Sequence, residues 1–168
     1  MSSQCSSLAP GWRLRSVNDS DVPASPIGRQ VEQVKLLFEA FERRDVEAAL
    51  ALMDPDVRFM PVTAQIMRGG RPYEGHEGIR EYHEDVAAIW EELELVPVEY
   101  QAVAGVVVVI GEVRGRADGE LRAPAIWTWE LRNGLIVEGS VHSALESARA
   151  ALGVRGSSEG ASERSSAL

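Results

Sequence analysis

The residues of this chain best suited to proton transfer are Glu112, Arg114 and His83. Glu112 and Arg114 stand two apart in a β-rich stretch, so both side chains leave the same face of a strand. In an apolar interior such a carboxyl would titrate high and serve as general acid or base, whereas an adjacent arginine would keep it charged. The alternative is a solvated pair near the strand end, running into Arg116 and the turn. His83 falls on the apolar face of a helix, and an ordinary pKa of about 6.5 suits it to shuttle protons. The alternative is a histidine at the core edge, bonded to backbone or to Tyr73. His76, His83 and His142 lie on separate elements without metal-ligand spacing, so no metal is expected. The single Cys5 excludes an intramolecular disulfide and a cysteine-based zinc site. Gly69-Gly70 leads into no Lys-Ser/Thr helix start and is not a phosphate loop.

The elements that must carry these groups follow from periodicity. Val31, Val34, Leu37, Phe38 and Phe41 predict an amphipathic helix over 30–44. Asp45 fits the N-cap of a short helix over 46–53, which Asp54-Pro55-Asp56 breaks. A short strand is expected at 57–62 and a Gly-rich loop at 63–75. Ile79, Tyr82, His83, Val86, Ile89 and Trp90 share one face of a helix over 76–92, with most of its acids opposite. Strands are expected at 93–104, 106–116, 121–132 and 135–145, with Asn133-Gly134 the strongest hairpin signal. Leu121, Ala123, Ala125, Trp127, Trp129 and Leu131 should face the helices. In 135–145 the set Leu135, Val137, Gly139 and Val141 should do so, with His142 outward. Strand 106–116 is apolar on both faces at its start, so alternation leaves the facing of Glu112 open. Helices segregated from an antiparallel sheet give an α+β class.

The chain has 168 residues, 26 acids and 17 bases, for a net charge of −9. One domain over 29–153 is expected, with disordered tails at 1–28 and 154–168 that are too polar to bury a core. The tails are neutral in sum, so the domain holds the whole charge. An acidic domain is a poor match for nucleic acid or an anionic membrane. No apolar run approaches the ~20 residues that span a bilayer, and no apolar leader opens the chain, so a cytoplasmic protein is expected.

The motifs F-E-A-F-E-R-R-D, L-M-D-P-D-V, Y-E-G-H-E-G-I-R-E-Y, W-T-W-E-L-R-N-G-L-I-V and A-L-E-S-A-R-A-A-L-G resemble the nuclear transport factor 2-like superfamily, in its SnoaL-like, ketosteroid isomerase-like branch. The resemblance implies a cone-shaped curved antiparallel sheet packed against three N-terminal helices, enclosing a pocket. It spans both enzymes and non-catalytic binding modules, and fold does not fix function. The catalytic tyrosine, base aspartate and oxyanion aspartate of the isomerase correspond here to Leu37, Met60 and Trp127. The last-strand aspartate of limonene-epoxide hydrolase corresponds to Val141, and its Arg-x-Asp to Glu112-Val113-Arg114 in reversed order. His83 takes the place of a pocket-facing tyrosine.

Two functions are consistent with that pattern. One is cofactor-free acid–base chemistry on a small hydrophobic substrate: isomerisation, cyclisation, dehydration or water addition. Glu112 would be base or water activator, Arg114 its partner, and His83 with Tyr73 the polar end of the pocket. The other is a module that holds an apolar ligand or a protein partner without chemistry. In either case Tyr73 and Arg68 would sit over the pocket mouth, and Met60, Trp90, Trp127 and Trp129 would line a wall favouring a flat apolar molecule. The outer sheet face, with Val109, Ile126, Thr128 and Ile136, is expected to pair two copies into a homodimer.

Overall fold

The computed structural model describes residues 25–142. Residues 1–24 and 143–168 lie outside it, and with them most of both expected tails, Cys5 and the close of the last motif.

Helix α1 (Pro26–Glu42) starts inside the expected N-terminal tail. Ser25 caps it, its Oγ accepting from the Gly28 amide at 3.0 Å, and Pro26 fills the first turn. It ends in a hydrogen-bonded reversal. The Arg44 amide donates to Phe41 O at 3.0 Å and the Asp45 amide to Ala40 O at 2.9 Å, with Arg44 left-handed at φ +54°. Asp45 then caps α2 (Val46–Ala51) through the Ala48 amide, as its position predicts.

Strand β1 (Met53–Met60) begins at the Asp-Pro-Asp break itself, earlier than the apolar run alone suggests. Residues 63–75 are not a plain loop. They hold α3 (Val62–Met67) and a two-residue strand β2 (Tyr73–Glu74) paired to β1. Helix α4 (Gly75–Ile89) follows, then β3 (Glu92–Val103), β4 (Val106–Arg116), β5 (Glu120–Arg132) and β6 (Leu135–His142).

The six strands form one sheet in the order β2-β1-β6-β5-β4-β3. It is α+β as expected, but mixed and open rather than wholly antiparallel, because β1 runs parallel to β6. Among the described residues four helices, not three, precede the meander.

Alternation on β5 holds along its length: all six residues expected inside are buried. On β6 it fails at one point. A bulge between the Glu130–Glu138 and Leu131–Ile136 pairs shifts the register, so Ile136 is buried. A second bulge, between Pro97 and Glu99, pushes Val98 out to 76% exposure. Beside it, a Cβ on Gly111 would lie 2.1 Å from Val96 O, so only glycine allows that approach.

The core is aromatic. Trp129 on β5 and Phe59 on β1 flank Gly139 on β6, and their rings stack at 5.3 Å and 20° over the space its missing side chain leaves. Phe38 from α1 meets Trp127 and Trp129 edge-on at 5.3 and 6.2 Å.

Candidate functional site

The interior of the curved sheet is nearly full. Trp127 and Trp129 are 1% and 0% exposed and, with Phe59, take up most of it. What remains is an apolar chamber lined by Phe41, Phe59, Tyr82, Trp90, Val113, Leu121, Trp127, Trp129 and the buried Thr63, among others. It leaves about 40 Å³ in which a water's centre can sit, against the ~150 Å³ that takes a benzene. Trp90, Trp127 and Trp129 thus stand where expected, but they fill the cone more than they line a ligand space. Met60 packs against the core and is not part of the lining.

A space larger than the chamber lies beside it, between the end of α1, the middle of α4 and the start of β3. This vestibule has about 370 Å³ for water centres and is lined by Glu42, Arg44, His83, Val86, Ala87, Glu92 and Glu94 together with Phe41, Tyr82, Leu93 and Leu95. The last four line the chamber as well. The two spaces are therefore neighbours across a shared apolar wall, one partly lined by charged residues, the other almost wholly apolar.

His83 is one of the lining residues of the vestibule. Its ring sits 5.5 Å from both Phe41 and Tyr82. Its Nε2 is buried and has no hydrogen-bond partner. Desolvation lowers its pKa first, and the nearby Arg44 charge lowers it further, so the neutral imidazole dominates at neutral pH. It is not bonded to Tyr73, which was one of its alternatives.

Glu112 and Arg114 do not enter the site. Val113, between them, is buried against the helices, so both flank it on the outer face. There Glu112 accepts from Arg114 and from Arg122 Nε (3.1 Å), and Arg114 also pairs with Glu94 at 3.5 Å. The hydrogen bonds from Arg114 and then Arg122 hold the Glu112 carboxyl below its ordinary pKa. A carboxylate fixed in its charged form between two guanidiniums, away from the cavity, is not a general base for a ligand inside.

Tyr73 and Arg68 are structural here. Tyr73 is fully buried and donates its hydroxyl to Asp85 Oδ2 at 2.6 Å. Burial first, and then that bond, push its pKa above the ordinary value. Arg68 lies over the Tyr73 ring at 4.4 Å and pairs with Glu81 at 3.0 Å. The pair straps α3 and β2 to α4 and lines neither space. His76 Nε2 sits 3.1 Å from Met53 O, and His142, outward as expected, 3.3 Å from Thr128 Oγ1.

Sequence patterning missed Arg44. It exposes its side chain at the vestibule edge from the left-handed position where helices usually end on glycine. For a side chain bearing a Cβ that conformation costs about 1–2 kcal/mol. A basic residue in place of glycine, right before the capping Asp45, was the available signal. Phe41 and Tyr82 lie on the apolar helix faces that pack on the core, and they also line both spaces.

Among solved structures, several share this architecture. An NTF2-like protein of unknown function from Burkholderia pseudomallei K96243 is 24% identical, with a TM-score of 0.68 over 74% of this chain and 97% of its own. TerC, co-crystallised with polyporic acid, is 22% identical, with a TM-score of 0.67 over 74% of this chain and 98% of its own. A putative SnoaL-like polyketide cyclase from Jannaschia sp. CCS1 is 21% identical, with a TM-score of 0.65 over 78% and 96%. No curated protein matches the chain. The SnoaL-like domain family matches residues 34–139, from the second half of α1 to the middle of β6, and this chain belongs to that family.

Proposed function

We propose that this SnoaL-like domain binds a small, largely apolar ring compound in the vestibule, with one edge against the wall shared with the chamber. The observation that carries this reading is that Phe41, Tyr82, Leu93 and Leu95 line both spaces. A vestibule of about 370 Å³ falls in the range of small-molecule sites, ~300–1,000 Å³. The chamber alone is too small for a ring. In two proteins of this fold a small molecule accompanies the chain, polyporic acid with TerC and trimethylamine with a Catenulispora acidiphila protein. Of the acid–base groups His83, Glu112 and Arg114, His83 lines this site, while the other two face away.

The test is a neutral aromatic probe, methyl benzoate, followed by saturation-transfer NMR. Saturation transfer to the wild type, lost in Leu95→Trp, supports the reading. No transfer to the wild type, or equal transfer to the filled variant, removes it.

The outer sheet face supports a second interaction, with another copy of this chain. Ile110 and Ile126 pair directly across β4 and β5 and are 39% and 38% exposed. Val98 stands out at the β3 bulge, and Glu112, Arg114 and Arg122 offer both charge signs beside them. Such a patch is self-complementary about a two-fold axis. Val109 and Ile136, expected on this face, are instead buried. Sedimentation of the wild type as a dimer and of Ile110→Lys as a monomer supports the pairing, and a monomeric wild type removes it.

A further inference from the structure

We infer that the vestibule recognises a ring compound through a carboxylate, held by Arg44 with His83 as second donor. This rests on the vestibule being the ligand site.

The first observation is positional. Arg44 occupies the left-handed residue of the α1 reversal, where the Arg44 and Asp45 amides close back on Phe41 O and Ala40 O. Glycine makes the same two bonds without the crowding of a Cβ. The chain keeps instead a long cation whose side chain lines the vestibule.

The second observation is electrostatic accounting. Glu92 and Glu94 line the same space, but each is tied to an arginine of β4, Glu92 to Arg116 at 2.9 Å and Glu94 to Arg114 at 3.5 Å. Arg44 makes no ion pair among the described residues. Glu42, the remaining acid of the lining, makes none either, so the unpaired charges of the space are one acid and one base, and a ligand carboxylate competes with Glu42 for Arg44.

The third is the unpartnered buried Nε2 of His83 on the facing helix. A neutral imidazole carrying its proton there is a hydrogen-bond donor in want of an acceptor. Guanidinium and imidazole in one lining suit a planar carboxylate, which takes Arg through two parallel N–H donors and leaves lone pairs for a third. The apolar wall of Phe41, Leu93 and Leu95 then takes the ring.

The experiment compares benzoate with methyl benzoate, its uncharged ester, by calorimetry on the full chain at neutral pH. The wild type should bind benzoate more tightly than the ester. Arg44→Gly should weaken benzoate by roughly tenfold, the worth of a lost charge-assisted hydrogen bond. It should leave the ester unchanged and raise the thermal midpoint, because the left-handed crowding is gone. His83→Phe, which keeps the ring contacts, should weaken benzoate and spare the ester. Unchanged benzoate affinity in Arg44→Gly overturns the inference, as does a lowered midpoint. Ester binding as tight as benzoate overturns it too, while leaving the ligand site standing. Binding of neither compound removes both.

Discussion

Replacing Gly139 by alanine tests the aromatic stack that sets the size of the chamber. An added Cβ would lie 2.3 Å from Trp129 Cζ3, 2.6 Å from Cε3 and 3.0 Å from Phe59 Cδ2. Carbon atoms settle at about 3.5–4.0 Å, so the indole must move by more than an ångström. It has little freedom: Phe59 stacks on one side, and Phe38 and Phe41 hold it at 6.2 Å each. Overpacking of this kind costs about 1–3 kcal/mol. The φ of Gly139 is not left-handed, so alanine regains about 0.4–1 kcal/mol by restricting the unfolded chain. The net is a loss of roughly 1–2 kcal/mol, or about 3–8 °C in thermal midpoint for a domain of this size. Urea unfolding followed by tryptophan fluorescence reads it directly, with the slope unchanged. In a Trp129→Leu background the same alanine should cost less, because the shorter side chain clears the new methyl. A midpoint equal to or above that of the wild type would mean that Trp129 does not sit over Gly139, and the account of the filled cone would fall.

Other expectations follow from the same geometry. Glu112→Gln should leave ligand binding unchanged and shift the thermal midpoint little, since its partners are exposed ion pairs screened by solvent; a change in affinity would return Glu112 to the site. His83 is held below its ordinary pKa, so above about pH 6.5 both folded and unfolded states keep it neutral. As pH falls through that value the unfolded chain takes up the proton first, and the native state loses stability. His83→Phe should flatten that acid-side slope in chemical denaturation between pH 5 and 7; an unaltered slope would mean that burial of the His83 ring does not set it. Tyr73→Phe removes a 2.6 Å bond to a carboxylate and should cost about 1–3 kcal/mol by urea titration without touching probe affinity.

The physics explains which parts were legible in the sequence. β5 was, because each inward residue has a strongly apolar side chain and each outward one but Pro124 and Ile126 is polar or charged, so one register satisfies all of them. β4 was not, because Val106 to Ile110 is apolar on both faces and the choice is made by neighbours. The exposed arginines at 114 and 122 draw Glu112 outward, and Val113 goes in by default. The bulges that turn Ile136 in and Val98 out depend on pairing partners, which no single-strand period contains. Short elements were missed for a related reason: α3 and β2 are stabilised by the Arg68–Tyr73–Asp85 strap to α4, not by their own pattern.

The candidate site was legible only where chemistry and period coincided. His83 stood out as a titratable group on an apolar helical face, and it lines the vestibule. Arg44 belonged to no period, since its place is set by the reversal of one helix into the next. Its signal was a conflict between levels, a bulky cation where local backbone favours glycine. Such conflicts persist where another demand outweighs the local one. In this chain the proposed demand is the vestibule, whose lining Arg44 shares with His83 and its buried, unpartnered nitrogen. A tailored site would place its specificity at such a point, so the comparison of Arg44→Gly stability with Arg44→Gly affinity separates a binding role from an accident of sequence. A variant that is more stable and binds less well has given up function for local comfort, and one that changes neither has not.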